Sequence, residues 1–158
     1  MSDLAKDFNE RLILDGTKIL FDAEDWPLIC KYSWHMSRGY VRTSSRKKFL
    51  MHRLVLGVTD PNVKVDHING TRHDNRKINL RLCTNRENAW NQRKSKNSTS
   101  GFKGVYWHKR LEKWQACIGY DNKLIHIGYF ATAIDAAHAY DEKAIELHGE
   151  YARLNKYE

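Results

Sequence analysis

The sequence has few cysteines and no long apolar segment. Its three cysteines, Cys30, Cys83 and Cys117, are far apart and show neither CxxC spacing nor a Cys/His ligand pattern. A structural zinc site or a disulfide framework is therefore not expected, and a reducing compartment is. The sequence shows no signal peptide and no apolar run of membrane-spanning length. We therefore expect a cytoplasmic protein without a membrane partner.

The composition favours a small basic protein that binds a polyanion. The chain has 158 residues, of which 41% are apolar, enough for small cores but not for one large core. This length predicts one domain or two small ones. The net charge of +8 and the pI near 9.4 favour nucleic acid as a partner, because neutralising phosphates drives binding. A basic protein with no nucleic-acid role is the alternative.

The basic residues are concentrated in two segments. Residues 1–25 hold seven acids against three bases, whereas residues 37–53 hold six bases and no acid. Residues 93–113 hold seven bases and one acid, Glu112. The two basic segments flank residues 65–88, so we expect a nucleic-acid track to pass that stretch.

The chain is organised around residues 65–88. In order, this stretch contains an Asp66-His67 pair, an Asn69-Gly70 turn, an apolar-alternating strand over residues 78–82, and a capping box from Thr84 to Glu87. The Asn-Gly dipeptide tolerates a tight reversal, and the capping box begins a helix. Strand, loop, strand and helix form a ββα unit. The first strand can lie against the first helical turn, which would bring Asp66 and His67 close to Asn88.

The same stretch resembles a known nuclease motif. The residues that carry the resemblance are Asp66–Gly70, Asp74–Arg76, Asn79–Arg81, Thr84 and Asn88. They are similar to the HNH motif, in particular to its branch of phage and intron-encoded homing endonucleases. The resemblance implies metal-dependent cleavage of DNA. Without the rest of the motif, Asp66 and His67 would be a surface pair beside a turn.

Residue chemistry and the resemblance assign the same roles. The imidazole of His67 can accept a proton from water at neutral pH, which makes it the expected general base. Asp66 and Asn88 offer the oxygen ligands that Mg²⁺ prefers, so we expect Mg²⁺, with Mn²⁺ as an alternative. Many relatives carry histidine where this chain has Asn88, which disfavours tight zinc binding. Asn79 is expected to pin the loop and so to aim the His67 ring.

Other residues near the motif have two open interpretations. Arg72 and Arg76 either clamp phosphates beside the cut or are simply solvated. His52, within the phrase Met51–Val55, is either a packed core residue or part of a segment that packs against the ββα unit and touches the phosphate backbone. Before the motif we predict a hairpin over residues 12–21, a short helix over 22–32, a strand over 39–43, and a strand or helix start over 49–55.

A basic linker is predicted to separate two domains. The helix that follows Thr84 is expected to continue to about Lys94. Residues 93–101 lack apolar side chains and carry bases, serines and a glycine, which indicates an exposed linker. We therefore predict a nuclease domain over residues 1–92, with the ββα motif at 65–92, and a second domain over 102–158. Arg93 and Lys94 are expected to contact DNA.

The second domain is predicted to be a three-stranded sheet with one helix. Candidate strands cover residues 104–107, 113–118 and 124–130, and a capping box at Thr132 begins a helix that ends at Gly149. Alternation places one apolar face toward that helix, comprising Val105, Trp107, Trp114, Ala116, Ile118, Ile125 and Ile127.

This domain resembles the AP2 DNA-binding domain. The resemblance is carried by Gly104–Tyr106, Trp114–Ala116, Gly128–Phe130, Ala136–Asp141, Ala152 and Asn155. In that family the sheet lies in the major groove, which is wide enough for a β surface. The positions that match DNA-facing ones are Lys103, Tyr106, His108, Lys113, Cys117 and His126, and Arg110 is expected to add a phosphate contact. At several of these positions the residue differs from that in the plant members of the family, so the DNA sequence that the plant proteins recognise does not carry over.

The predicted fold class is α+β: a ββα-metal (HNH) unit followed by an AP2-like sheet packed on one helix. The leading hypothesis is a metal-dependent endonuclease of double-stranded DNA, phage-encoded and homing-type, acting as a monomer or weak dimer at the nucleoid of a bacterial or phage-infected cell. A non-catalytic DNA-binding regulator is the main alternative. An RNA-binding or RNA-cleaving protein is the third, and it would prefer single strands.

Overall fold

The computed structural model describes residues 13–45, 48–95 and 98–157. Leu12 of the predicted hairpin, Arg46 and Lys47 of the first basic segment, and residues 96–97 of the predicted linker lie outside this description. The chain forms two compact units, Met1–Asn88 and Ala89–Glu158.

The first unit contains short strands and short helices. They are β1 (Ile13–Leu14), β2 (Thr17–Lys18), α1 (Trp26–Ile29), β3 (Trp34–Ser37), β4 (Tyr40–Thr43), α2 (Met51–Val55), β5 (Lys64–His67), β6 (Leu80–Cys83) and α3 (Asn85–Trp90). The helix α3 begins in this unit and ends in the second. Three two-stranded antiparallel sheets pair β1 with β2, β3 with β4, and β5 with β6.

Two tight turns shape the start of the chain. Asp15 and Gly16 have φ values of 49° and 74°, and Arg38 and Gly39 have 51° and 79°. Pairs of positive φ values fit the twist of a two-residue hairpin. The first hairpin was predicted with longer strands, whereas β3 was not predicted. Residues 49–55 were predicted to be a strand or a helix start, and they contain the helix α2.

The core of the first unit is apolar but carries polar side chains at one side. Its buried apolar members are Ile19, Phe21, Ile29, Trp34, Val41, Met51, Val55 and Leu80. The capping box before α3 is confirmed: Thr84 N donates to Glu87 Oε2 at 2.7 Å, and Glu87 N donates to Thr84 Oγ1 at 3.2 Å. The helix ends at Trp90, earlier than the predicted Lys94.

The second unit is a sheet covered by one helix. Strands β7 (Val105–His108), β8 (Lys113–Tyr120) and β9 (Lys123–Phe130) pair antiparallel in that order, and α4 spans Ala133–His148. Thr132 caps the helix by accepting from Asp135 N at 3.1 Å, as predicted, and Gly149 follows with φ 54°. Buried alanines let α4 lie close to the sheet: Ala136, Ala137 and Ala144.

The sheet departs from simple alternation. Val105, Ala116 and Ile118 are buried as predicted, whereas Trp107 is 44% exposed. Cys117, predicted among the exposed positions, is only 5% exposed and lies where the β8–β9 register shifts. None of the described helices is long and apolar enough to cross a bilayer.

Candidate functional site

The β5–β6 ladder places an acid and a histidine at the edge of the first core. Asp66 and His67 are 6% and 4% exposed. The register sets Asp66 opposite Arg81 and His67 opposite Leu80. Asp66 Oδ2 accepts from Arg81 Nη2 at 2.8 Å and from Arg81 Nε at 3.1 Å. This ion pair was not predicted, because it depends on the register of strands separated by a long loop.

Aromatic side chains surround the His67 ring. The His52 ring meets it edge to face, with ring centroids 4.9 Å apart, and the Tyr40 ring lies 6.2 Å away. Asn75 is fully buried, and its side chain acts to raise the pKa of the His67 imidazole. His52 is therefore a packed core residue that lies against the His67 ring, and its expected contact with the phosphate backbone stays a prediction.

Burial keeps both histidines neutral. It lowers the pKa of His67, an effect opposed by the nearby side chain of Asn75 and by the carboxylates of Asp66 and Asp74. The pKa of His52 falls to about 3, mainly through burial and further through the charge of His67. At neutral pH the His67 ring is consequently uncharged, the state in which an imidazole can accept a proton.

The side chain of Asn79 holds the loop that follows His67. Its Oδ1 accepts from the backbone N–H of Asn69 at 2.9 Å, and its Nδ2 donates to the carbonyl oxygen of Asp74 at 2.8 Å. Its own carbonyl accepts from the N–H of Ile68 at 2.9 Å. Asn79, 6% exposed, therefore ties both ends of the loop together next to His67, which is the geometry expected of it.

Two of the residues present offer ligands suited to a hard divalent cation. Asp66 supplies a carboxylate, and Asn88, half-buried on α3, supplies an amide oxygen. Mg²⁺ is commonly bound by one or two protein groups together with water and phosphate, so this donor set fits it. A cation at Asp66 would meet the charge of Arg81. Across residues 13–45, 48–95 and 98–157, no cluster of three or more His, Cys, Asp or Glu side chains could hold a metal.

The two arginines of the motif loop already have protein partners. Arg72 is exposed, lies over the Tyr40 ring at 4.4 Å and donates from Nη1 to the carbonyl oxygen of Arg38 at 3.0 Å. Arg76 binds the Asp74 carboxylate through two nitrogens, at 2.8 and 2.7 Å. Arg72 thus joins the β3–β4 turn to the loop, whereas Arg76 braces the loop itself.

The exposed face of the second sheet carries a group of rings. Tyr106 is 58% exposed, and the Tyr129 ring lies 5.2 Å from His108 and 4.5 Å from His126. Tyr129 was not among the predicted residues. The register shifts by one residue between Ala116 and Cys117, which brings His126 and Tyr129 together although they are three apart. A Gly-Tyr pair late in a strand is the only sequence signal for this.

The predicted basic contacts differ in their surroundings. Arg110 and Lys113 are exposed at the β7–β8 turn, and Arg93 and Lys94 are exposed after α3. Lys103 is half-buried, donates from Nζ to the carbonyl oxygen of Trp90 at 2.5 Å, and has its pKa lowered to about 8, chiefly by burial. Its ammonium group therefore serves the interior of the second unit in this structure.

Comparison with known proteins supports the two-part composition of the chain. A family model described as HNH endonuclease matches residues 49–90, and one described as AP2 domain matches residues 100–150. The first includes α2, β5, β6 and α3, and the second includes the sheet and α4. The two matches define a nuclease that acts on DNA.

Two curated relatives align with more than half of the chain, and the name of one states the HNH endonuclease family. An uncharacterized HNH endonuclease of Acanthamoeba polyphaga mimivirus is 32% identical over 148 residues, covering 89% of this chain and 76% of the relative. Protein 3.8 of Escherichia phage T7 is 35% identical over 90 residues, covering 57% of this chain and 74% of the relative. No solved structure gives a significant match. The chain belongs to the HNH endonuclease family.

Proposed function

We propose that the protein is a divalent-metal-dependent endonuclease that hydrolyses phosphodiester bonds in duplex DNA. The observation that carries this proposal is a neutral, buried His67 beside the Asp66 carboxylate, on a loop fixed by Asn79. Fixed groups of this kind act without reorganising during the reaction. Nuclease chemistry is assigned to residues 1–92 and DNA affinity to residues 102–158.

The His67 imidazole takes a proton from the attacking water. Its neutral state and its fixed ring supply the base, and Asn79 keeps that ring in place. A divalent ion, when bound by Asp66 and Asn88, supplies charge stabilisation at the phosphate and at the leaving oxygen. Arg72, exposed on the motif loop, contacts a phosphate next to the cleaved bond. The braced Arg76 keeps the loop in the shape that this contact requires.

The sheet of the second unit supplies affinity for duplex DNA. Tyr106, His108 and His126, joined by Tyr129, contact bases in the major groove, and Arg110 and Lys113 contact phosphates at its edge. Further phosphates along the DNA strand are contacted by Arg93, Lys94 and the backbone around Lys103. One nuclease unit per chain favours a single-strand nick by a monomer, and the mobile-element character of the motif favours homing-type, site-directed action.

Conversion of supercoiled plasmid tests the nuclease directly. We expect open-circle product from wild-type protein with Mg²⁺, and none with EDTA or with His67→Ala. His35→Ala, at an exposed histidine on β3, is the matched control and should cleave like the wild type. Tight binding of duplex DNA without conversion of any plasmid, including one that carries the protein's own genomic locus, would instead support a non-catalytic regulator.

A further inference from the structure

The ion pair between Asp66 and Arg81 is enclosed and lies within the candidate site. The two side chains are 8% and 11% exposed, and Asp66 Oδ2 accepts from both Nε and Nη2 of Arg81. His67 follows Asp66 on the same strand. A positive group therefore already occupies the one carboxylate that is assigned to the metal.

A second arginine–aspartate pair nearby gives a standard for comparison. Arg76 binds both oxygens of Asp74, and Asp74 also accepts from Asn69 Nδ2 at 2.9 Å. Its arginine is 41% exposed, and its aspartate, at 2%, is held by the loop on several sides. That pair has a structural task in shaping the loop. The Asp66–Arg81 pair joins two strands that backbone hydrogen bonds already hold together.

We propose that Arg81 is a movable counter-ion that binds Asp66 in the DNA-free protein and transfers to a phosphate of bound DNA. This inference rests on the proposed function. A guanidinium binds phosphate as well as carboxylate, through the same fork of N–H groups. A divalent ion at Asp66 repels the guanidinium at short range, whereas a DNA phosphate attracts it. Bound DNA therefore draws Arg81 away from Asp66, which favours metal binding. A bound metal ion likewise displaces Arg81 from Asp66, which favours contact with a DNA phosphate.

Arg81 thereby couples the two ligands. By thermodynamic reciprocity, DNA raises the affinity for the metal by the same factor as the metal raises the affinity for DNA. In the absence of DNA the pair keeps Asp66 neutralised, so the metal binds weakly. The metal ion therefore binds mainly to the complex with DNA and only weakly to the DNA-free protein.

Mn²⁺ binding by DNA-free protein, followed by electron paramagnetic resonance, tests the first half of the inference. We expect R81Q to bind Mn²⁺ about tenfold more tightly than the wild type, a typical size for such coupling. K143Q, which removes the base of the Lys143–Glu146 pair on α4, should bind Mn²⁺ as the wild type does. If D66N loses Mn²⁺ binding while R81Q binds it like the wild type, the inference fails and the ligand assignment stands.

If D66N keeps wild-type Mn²⁺ binding, the assignment of Asp66 as a ligand fails, and the inference fails with it. Circular dichroism establishes that each variant is folded. If R81Q does not fold, R81K replaces it: lysine keeps the charge but lacks the fork, so a smaller gain in Mn²⁺ affinity is expected. An unchanged affinity in R81K would then overturn the inference.

Binding of duplex DNA in EDTA tests the second half without any metal. D66N releases Arg81, so we expect it to bind duplex DNA about tenfold more tightly than the wild type. The double variant D66N/R81Q should lose this gain. E146Q removes a negative charge on α4 that pairs with Lys143, and it is the control for charge alone. Equal gains in D66N and in the double variant would contradict a role for Arg81.

Discussion

The two units of the chain place their polar residues in opposite ways. Within the described residues, the first unit buries many polar side chains: Asp25, Thr43, His52, Asp66, His67, Asp74, Asn75 and Asn79. The second buries Asn91, Asp141 and His148, and it exposes the rings of Tyr106 and Tyr129 instead. The contrast follows the proposed tasks. Bond cleavage needs fixed polar groups shielded from water, whereas contact with bases and phosphates needs groups that reach outward.

The same contrast appears in the packing. The second unit rests on small residues, and Gly104 shows how tight this packing is. The first unit rests on large apolar residues and on a loop that hydrogen bonds hold in place. Stability of the second unit should therefore respond most to added volume, and that of the first to lost hydrogen bonds and to added charge.

Gly104→Ala should have the largest effect on stability. The added Cβ would lie 2.1 Å from Tyr140 Cδ2 and 2.8 Å from the Cys117 carbonyl oxygen, and φ is +75°. We expect the free energy of unfolding of the second unit to fall by about 3 kcal/mol or more in chemical denaturation. Gly119→Ala meets no atom within 4 Å and is the control. Equal stability of the two variants would refute the packing argument.

Asn79→Ala should affect both stability and cleavage. It removes two buried side-chain hydrogen bonds, so we expect a loss of about 2 kcal/mol in unfolding free energy. It also frees the loop beside His67, which should slow cleavage about 10²-fold.

Asn155→Ala is the counterpart of Asn79→Ala in the second unit. Asn155 Oδ1 accepts from Lys103 N at 2.6 Å, and its Nδ2 donates to Asp141 Oδ1 at 3.0 Å. This variant should lose similar stability, yet cleave within about twofold of the wild-type rate at saturating DNA, because these hydrogen bonds of Asn155 lie within the second unit and do not hold the loop beside His67. A loss of cleavage as large as that of Asn79→Ala would show that the slowing comes from instability alone.

Acid should destabilise the first unit through His52. Burial lowers the pKa of His52 to about 3, whereas the unfolded chain binds that proton near pH 6.5. The unfolded state thus holds more protons between these values. The stabilisation is complete above pH 6.5 and declines as the pH falls toward 3, by up to about 1.4 kcal/mol per pH unit. Urea unfolding between pH 7 and 5 measures this slope. His52→Gln should flatten it, and an unaltered slope would rule out His52 as the cause.

Arg110→Ala should have the smallest effect. Arg110 is exposed at the β7–β8 turn, and removing one phosphate contact should reduce the slope of log affinity against log salt by about 1. Fluorescence anisotropy with a duplex across salt concentrations measures it. Lys143→Ala on α4, where Lys143 pairs with Glu146, should leave the slope unchanged. Equal slopes for Arg110→Ala and wild type would remove Arg110 from the DNA contacts.

Local sequence signals predicted the elements with distinct ends. The capping residues Thr84 and Thr132 both make the hydrogen bonds that their spacing indicates, and α4 ends directly before Gly149. The fixed loop at Asn79 was also predicted, because its family resemblance and its chemistry agreed. Helix α3 was predicted too long, because nothing in the sequence between Trp90 and Lys94 marks the helix end.

The features that were missed depend on pairing between distant strands. The strand β3 is defined by its partner β4, and the ion pair of Asp66 with Arg81 by the register of β5 and β6. The exposed Tyr129 depends on the register shift in the second sheet, which also buries Cys117. No local pattern encodes these registers, so composition and alternation alone could not predict them.

The separation of cleavage from affinity tests the account most directly. Single-turnover cleavage rate and duplex affinity should be measured on one substrate for wild type, His67→Ala and Tyr106→Ala. We predict that His67→Ala loses cleavage by about 10²-fold or more while keeping its affinity, because it lacks only the base. Tyr106→Ala should lose affinity and keep its rate at saturating protein. A loss of affinity in His67→Ala equal to its loss of rate, or a slow saturated rate in Tyr106→Ala, would contradict the division of tasks between the two units.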